Sequence, residues 1–209
     1  MNSKRRFGTE SSETRLALID AAKRLMRAEG YSAVSSRRLA AFAGLKPQLV
    51  HYYFRTMDEL FEAVFRRVAE QHLKFLQEVA DEPDGLFKIW RLSSDGDLAV
   101  LTIEFMALAN RHPGIRDLIA HYSLEYKTIV EPMIERTMRA RGLDENVWPP
   151  AVMAVLLDNL PTILAISTRL GGTSDFKRAQ DMIGSYLEKL GEEAASEISI
   201  AARETRASG

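Results

Sequence analysis

Four side chains between residues 46 and 52 could bind a charged, hydrogen-bonding surface: Lys46, Gln48, His51 and Tyr52. Ammonium, amide, imidazole and phenol groups are the groups with which proteins contact base edges and phosphate oxygens. In a helix, their spacing places them toward its start and outer side. We therefore expect this segment to present polar groups to the major groove of DNA.

Two short helices joined by a tight turn are needed to position these groups. Ser35 and Ser36 form a pair suited to cap the first helix, and Gly44 can adopt the left-handed conformation that ends a helix. Pro47 fits the first turn of the second helix, where its missing N–H is not needed. The inner face of that helix is apolar, with Leu49, Val50, Tyr53 and Phe54. The pattern predicts a helix-turn-helix.

Residues 15–60 resemble the DNA-binding domain of the TetR family of bacterial transcriptional regulators. The resemblance rests on RLALIDAAKRLMRAEGYSAVSSRRLAAFAGL, on YYF at the end of the recognition helix and on TMDEL at the next helix, about a quarter of the chain. Three details differ from the usual family pattern. The opening Ser-Lys-Gly-Thr is replaced by Lys46-Pro47-Gln48-Leu49, the Tyr-His pair by His51-Tyr52, and a frequent Lys by Met57.

This resemblance implies which residues contact DNA and how the chain assembles. We expect Arg37, Lys46 and Gln48 to contact bases. We expect phosphate contacts from Ser36, His51, Tyr52 and Arg55. The resemblance also implies a dimer, and a dimer has two recognition helices for the two inverted half-sites of a double-stranded DNA operator.

Catalytic and metal-binding patterns are weak in this sequence. The GxSxG, HExxH and GxxxxGKS/T motifs are absent, and the lack of cysteine excludes a thiol nucleophile, disulfides and thiolate metal sites. Asp117, His121 and Glu125 follow one another at four-residue steps, a spacing that suits a metal site or, more commonly, surface ion pairs. His72 is either a core histidine or a sensor of pH or ligand. We expect no enzyme, no cofactor and no metal.

Composition indicates a globular protein whose charge is unevenly distributed. Apolar residues make up 46% and charged residues 27% of the chain. Residues 1–55 carry 11 Lys and Arg against 4 Asp and Glu, whereas residues 56–209 carry 17 against 25. A basic segment attached to an acidic remainder suits a protein that meets DNA at one end. We expect cytoplasmic localisation and no membrane segment, since Asp158, Asn159 and Pro161 interrupt the most apolar run.

Helical periodicity without any strand pattern predicts an all-α fold. We expect a flexible N-terminal arm at 1–12 and a three-helix helix-turn-helix DNA-binding domain at 13–56. Residues 57–209 then form a helical ligand-binding and dimerisation domain, which begins with a connecting helix at 57–80. Further helices are expected at 86–92, 97–111, 114–141 and 150–170 and from about 174 onward.

The last two helices are expected to form a homodimer interface. Apolar residues surround the helix at 151–170 almost completely, which requires burial on two sides. The last helix adds an apolar stripe of Phe176, Ala179, Met182, Ile183, Tyr186, Leu187 and Leu190. A symmetric four-helix interface would cover these surfaces, although a central helix in a larger monomeric bundle would also do so.

Aromatic and apolar residues of the C-terminal domain could line a pocket for a small lipophilic or aromatic effector. The expected lining residues are Trp90, Phe105, Met106, Tyr122, Tyr126, Asn159 and Ile163. The same residues could instead form solid core, and Asn159 could compensate the helix disruption at Pro161. The sequence thus predicts a ligand-responsive transcriptional regulator, most simply a repressor. A constitutive DNA-binding protein and a helical small-molecule carrier or enzyme remain alternatives.

Overall fold

The structure of the protein, a computed structural model, describes the backbone of residues 3–207 and the side-chain surroundings of residues 13–200 and 203. The described residues form nine α-helices and a short 3₁₀ turn, without a strand, which confirms the all-α prediction. The helices are α1 (Ser3–Glu29), α2 (Ser36–Ala43), α3 (Pro47–Tyr53), α4 (Met57–Val79), α5 (Gly85–Ser93), α6 (Gly96–Ala109), α7 (Pro113–Ala140), α8 (Pro150–Arg169) and α9 (Ser174–Ala207).

The chain divides into two compact units, each built from two segments. Unit 1 contains Met1–Glu70 and Val100–His121, and unit 2 contains Gln71–Ala99 and Tyr122–Gly209. This division differs from the predicted boundary between 13–56 and 57–209. The physical reason is that α6 and the start of α7 bury Leu101, Phe105, Leu108 and Ile115 in the same apolar core as α1.

The core of unit 1 begins with the apolar stripe of α1. Leu18, Ile19, Ala22, Leu25 and Met26 recur at helical spacing and are all buried, as predicted. These side chains pack with buried residues of α2, α3 and α4, namely Leu39, Ala40, Val50, Leu60, Phe61 and Val64. The helix-turn-helix is thereby fixed on its inner side by burial of apolar surface.

The first helix starts earlier than the sequence predicts. It begins at Ser3 and not near residue 13, so residues 3–12 extend α1 and do not form a separate arm. Adding a residue to an existing helix fixes one pair of dihedral angles for one hydrogen bond, which allows a polar segment to continue a helix. Residues 1 and 2 of the predicted arm lie outside the described residues.

Unit 2 has its own apolar core between α4, α5, α7, α8 and α9. Its buried residues include Leu76, Ile89, Val130, Ile134 and Leu157. Phe176, Ala179, Ile183 and Leu187 of α9 pack against this core. Part of the α9 stripe predicted for dimerisation therefore faces its own unit.

Among the described residues, α8 is the one helix long and apolar enough to span a membrane, with 20 residues. A third of its most apolar window, 33%, is buried inside the protein. Asp158 lies half-buried in the middle of this helix, where a lipid environment would penalise its charge.

Candidate functional site

The turn between α2 and α3 has the local interactions that the sequence predicts. The Ser35 hydroxyl accepts the N–H of Arg38, and Gly44 ends α2 in the left-handed conformation at φ 68°. The Gly44 N–H donates to the carbonyl groups of Ala40 and Ala41. Pro47 is the first residue of α3. These interactions fix the angle at which α3 leaves the turn.

The start of α4 holds the other end of α3. The Thr56 hydroxyl accepts the N–H of Glu59 over 3.1 Å, and the Glu59 carboxylate accepts the N–H of Arg55 over 2.8 Å. The predicted cap of α4 is therefore present, with Arg55 as the second donor. The backbone of Arg55 is held while its side chain remains exposed.

The residues predicted to contact DNA lie on the outer surface of this motif. Six of them are exposed and Ser36 is half-buried; the six are Arg37, Lys46, Gln48, His51, Tyr52 and Arg55. Tyr52 is 74% exposed and packs edge-on against Tyr53, with ring centroids 4.9 Å apart. The phenol group of Tyr52 is thus directed by a partly buried neighbour.

Three neighbouring arginines make contacts within the protein and are not counted among the residues expected to contact DNA. Arg38 forms an ion pair with Glu29 at the end of α1. The guanidinium groups of Arg15 and Arg24 lie over the rings of Phe54 and Phe42, at 5.1 and 5.5 Å from the centroids. These contacts separate structural cations from the exposed Arg37 beside them.

The residues predicted to line an effector pocket do not form one cluster. Phe105 belongs to the unit 1 core, where its ring meets Phe65 edge-on at 5.1 Å. Met106 and Ile163 are 41% and 48% exposed. Trp90 is buried in unit 2, and its Nε1 atom donates to the Gln180 carbonyl over 3.2 Å.

The side chain of Asn159 hydrogen-bonds to the backbone of its own helix, α8. Its side chain is exposed, and the Nδ2 atom donates to the Val155 carbonyl over 2.9 Å. The carbonyl that Pro161 leaves without its helical donor belongs to Leu157, four residues earlier. The suggested compensation for Pro161 therefore does not occur at that carbonyl.

Tyr122 and Tyr126 are the two predicted lining residues that the structure brings together. Their ring centroids are 6.2 Å apart, and the Tyr122 hydroxyl lies 2.6 Å from Nδ1 of His72. Burial raises the pKa of both phenols, and the nearby charge of Asp158 raises it further. Burial also lowers the pKa of His72 to about 4 and raises that of Asp158 to about 6.

Asp158, whose charge affects both phenols, was not among the side chains expected from the sequence to line a pocket. The signal was its position as a carboxylate in the most apolar run of the chain, because a charge is costly to bury without a partner. By contrast, Asp117, His121 and Glu125 are all exposed. The part of the chain that the structure describes contains no group of three or more side chains arranged to hold a metal ion.

The helix-turn-helix also matches a known family. Residues 18–64 match the family model of bacterial regulatory proteins, tetR family. A search of curated proteins found no match to this sequence. The family match covers the helices on which the exposed polar residues lie.

Solved structures share the fold of nearly the whole chain. A putative transcriptional regulator from Saccharomonospora viridis in complex with choline aligns with a TM-score of 0.70 at 21% identity, covering 87% of this chain and 96% of that one. A TetR transcription regulator from Haloarcula marismortui aligns with a TM-score of 0.67 at 18% identity, covering 85% and 97%. Salmonella enterica GusR aligns with a TM-score of 0.62 at 16% identity, covering 85% and 96%.

The sequence match and the fold agree on one assignment. The motif carries an exposed helix at Pro47–Tyr53, and the fold of a solved TetR transcription regulator covers 85% of the chain. The resemblance noted from the sequence is thereby confirmed. Residues 18–64 match the family model of bacterial regulatory proteins, tetR family, and the chain shares its fold with a solved TetR transcription regulator.

Proposed function

We propose that this protein is a dimeric, ligand-responsive transcriptional regulator, most simply a repressor, that binds a pseudo-palindromic operator. A small effector molecule releases it from DNA. The observation that carries this proposal is an exposed polar surface on α3, fixed from behind by a buried apolar core. A rigid helix with Lys46, Gln48, His51 and Tyr52 on its outer side suits the major groove.

Base and phosphate contacts divide between two groups of residues in this proposal. Arg37, Lys46 and Gln48 contact base edges. Ser36, His51, Tyr52 and Arg55 contact phosphates. The excess of Lys and Arg in residues 1–55 adds electrostatic attraction, which steers the domain to DNA and makes its affinity depend on salt.

A homodimer through α8 and α9 is supported by apolar side chains that the single chain leaves exposed. On α8 these are Val152, Val155 and Leu156, and on α9 they are Met182 and Tyr186, at 66% and 60% exposure. Exposed apolar side chains at helical spacing on two helices that contact each other suit a protein interface. A two-fold axis through it places two recognition helices about 34 to 36 Å apart or somewhat more, one per half-site.

Release by an effector requires that the ligand favours a state whose two recognition helices no longer match the half-site spacing. A hundredfold loss of DNA affinity corresponds to about 2.7 kcal/mol of preferential binding. The neighbour from Saccharomonospora viridis was solved in complex with choline, which supports a small organic ligand for this fold. The aromatic groups of unit 2 suit a lipophilic or aromatic compound.

Selection of bound duplexes from a random DNA pool tests this function. It should be repeated at low and moderate salt, because affinity from phosphate contacts alone collapses with salt and enriches no sequence. The proposal expects enrichment of an inverted repeat at both salt concentrations. Lack of enrichment at either salt would direct attention to a carrier or enzyme role of unit 2.

A further inference from the structure

Three aromatic rings of unit 2 form a compact triangle that DNA recognition does not use. His72 lies on α4, and Tyr122 and Tyr126 lie one turn apart on α7. Their centroids are separated by 6.0, 6.4 and 6.2 Å, with His72 and Tyr122 stacked at 22°. The Tyr122 hydroxyl lies 2.6 Å from Nδ1 of His72.

Two polar atoms of this triangle are buried without a hydrogen-bond partner. They are Nε2 of His72 and the hydroxyl oxygen of Tyr126. A buried polar atom without a partner costs about 1–3 kcal/mol. Such atoms are uncommon in native proteins and require an explanation. The ring of His72 can act as a hydrogen-bond donor. Because the pKa of His72 is lowered to about 4, its ring is neutral near pH 7. If Nδ1 accepts a hydrogen bond from the Tyr122 hydroxyl, Nε2 carries the ring proton and can donate a hydrogen bond.

A carboxylate on a third helix of unit 2 affects the two tyrosines electrostatically. The charge of Asp158 on α8 raises the pKa of both Tyr122 and Tyr126, and its neighbour in sequence, Leu157, is buried in the same apolar core as Tyr126. None of the ion pairs between described residues involves Asp158. Burial raises the pKa of Asp158 to about 6, and a positive charge placed beside it would favour its ionised form.

A carboxylate beside aromatic rings has one chemical complement. The faces of aromatic rings attract cations, and a partly buried carboxylate is stabilised by an opposite charge. An anion would be repelled by Asp158, and a neutral molecule would leave its charge unpaired. The ring nitrogen of His72 and the hydroxyl of Tyr126 can hydrogen-bond a polar group on the same ligand.

We propose that His72, Tyr122, Tyr126 and Asp158 bind the positively charged nitrogen of a small organic cation, an amine or a quaternary ammonium compound. Asp158 is the counter-ion, the tyrosine rings contact the cation, and His72 and Tyr126 hydrogen-bond a neighbouring hydroxyl or carbonyl group. This inference rests on the proposed function, because it assigns the chemical class of the effector.

Matched ligands that differ only in charge test this assignment on the full chain. The probes are choline, benzyltrimethylammonium and phenethylamine, each measured by calorimetry against a neutral compound of the same shape. For choline the neutral counterpart is 3,3-dimethylbutan-1-ol, and 3,3-dimethylbutanoate supplies the anion. We expect at least one cation to bind ten-fold or more tightly than its neutral counterpart, and the anion not to bind.

Substitutions then locate the site. Asp158→Asn keeps the shape of the side chain but removes its charge, and we expect it to abolish the preference for cations. Asp117→Asn makes the same change at an exposed position of α7 and should retain the preference. Cations that bind no more tightly than the neutral compounds, or a preference that survives Asp158→Asn, would overturn the proposal.

The proposed function and this inference fail separately. Operator selection is performed without ligand, so an enriched inverted repeat together with no preference for cations would remove the inference and retain the regulator. A cation that binds through Asp158 in a protein that selects no DNA sequence would support the site and contradict the regulator.

Discussion

The backbone N–H of Tyr31 donates to the Oε2 atom of Glu104 over 2.6 Å. This hydrogen bond joins α6 to the turn that follows α1, inside unit 1. Gly30 precedes Tyr31 at a φ of 83°, a backbone conformation that glycine adopts without strain. Glu104 therefore holds the segment that leads into the helix-turn-helix.

Removing this carboxylate should destabilise unit 1. Glu104→Ala leaves a partly buried N–H group without its acceptor, and we expect the free energy of unfolding to fall by about 1–3 kcal/mol. Glu104→Gln keeps an acceptor oxygen and should lose less. Urea denaturation measures both, with the exposed Glu188→Ala as control. Equal losses for the alanine and glutamine variants would argue against the hydrogen bond as the cause.

Gln48 should determine sequence preference more than general affinity. A bidentate amide contact to a base contributes about 1–3 kcal/mol of discrimination, roughly 5-fold to 150-fold in affinity. We expect Gln48→Ala to lose this factor on the selected operator and to bind a scrambled duplex as the wild type does. Gln77→Ala, an exposed glutamine of α4, is the matched control. Fluorescence anisotropy gives both affinities, and a parallel loss on both duplexes would assign Gln48 to the phosphates.

Arg55 should behave in the opposite way. A phosphate contact carries no base information, so Arg55→Ala should weaken binding to the operator and to a scrambled duplex by the same factor. The slope of log affinity against log salt concentration should also become shallower by about 1, because one phosphate contact is lost. Titrations at four salt concentrations measure the slope. A change confined to the operator would place Arg55 among the residues that read bases.

The exposed side chain of Met182 should be necessary for dimerisation. Met182→Glu places a charge in the proposed interface, where its burial would be unfavourable, and we expect monomers in sedimentation velocity experiments. Leu124→Glu is the control, because Leu124 is equally exposed, at 67%, but lies on α7. Should the Met182 variant remain dimeric while the Leu124 variant dissociates, the interface would lie elsewhere.

Asp158 should lower stability above pH 6. Its pKa rises from 3.8 to about 6 on burial, so the folded protein holds this proton more tightly than the unfolded chain. The resulting stabilisation is present at low pH and is lost as pH rises through about 6. The shift in pKa sets an upper bound of about 3 kcal/mol on this stabilisation. The actual value is smaller, because the side chain is partly exposed and solvent screens its charge.

Asp158→Asn removes this pH dependence. We expect the variant to be more stable than the wild type at pH 8, with the difference shrinking steadily toward pH 4. Urea denaturation of both proteins at each pH measures it. The pKa of His72 is lowered to about 4, so its contribution to the stability of the folded protein is lost as pH falls from 6.5. His72 is present in both proteins, so this contribution cancels in the difference between them. An identical difference at pH 8 and pH 4 would contradict the prediction.

Local signals allowed the helix-turn-helix to be predicted from the sequence. Ser35, Gly44 and Pro47 act through their own backbone neighbourhood, and the α1 stripe follows from helical spacing alone. The burial of Phe105 in the core of unit 1 was not predictable from the sequence. Helical periodicity shows which face of α6 is apolar, but not which of the two cores that face packs against. For the same reason the sequence predicted Met106 and Ile163 as pocket residues although both are exposed.

The cluster around Asp158 depends on contacts between distant parts of the chain. His72 and Tyr122 are 50 positions apart, and their hydrogen bond follows from the packing of α4 against α7 within unit 2. Tyr122 and Tyr126 were predicted from the sequence as pocket-lining residues, because aromatic side chains recur there at helical spacing. Only the folded chain places a carboxylate of α8 near both rings.

Sequence-specific DNA binding by a symmetric dimer is the central claim, and binding isotherms on three duplexes test it most directly. The duplexes carry the selected inverted repeat, a single half-site and a scrambled sequence, at low and moderate salt. We predict the tightest binding to the inverted repeat, much weaker binding to the half-site, and a preference over the scrambled duplex that persists at moderate salt. Equal affinities for all three duplexes, falling together as salt increases, would contradict the account.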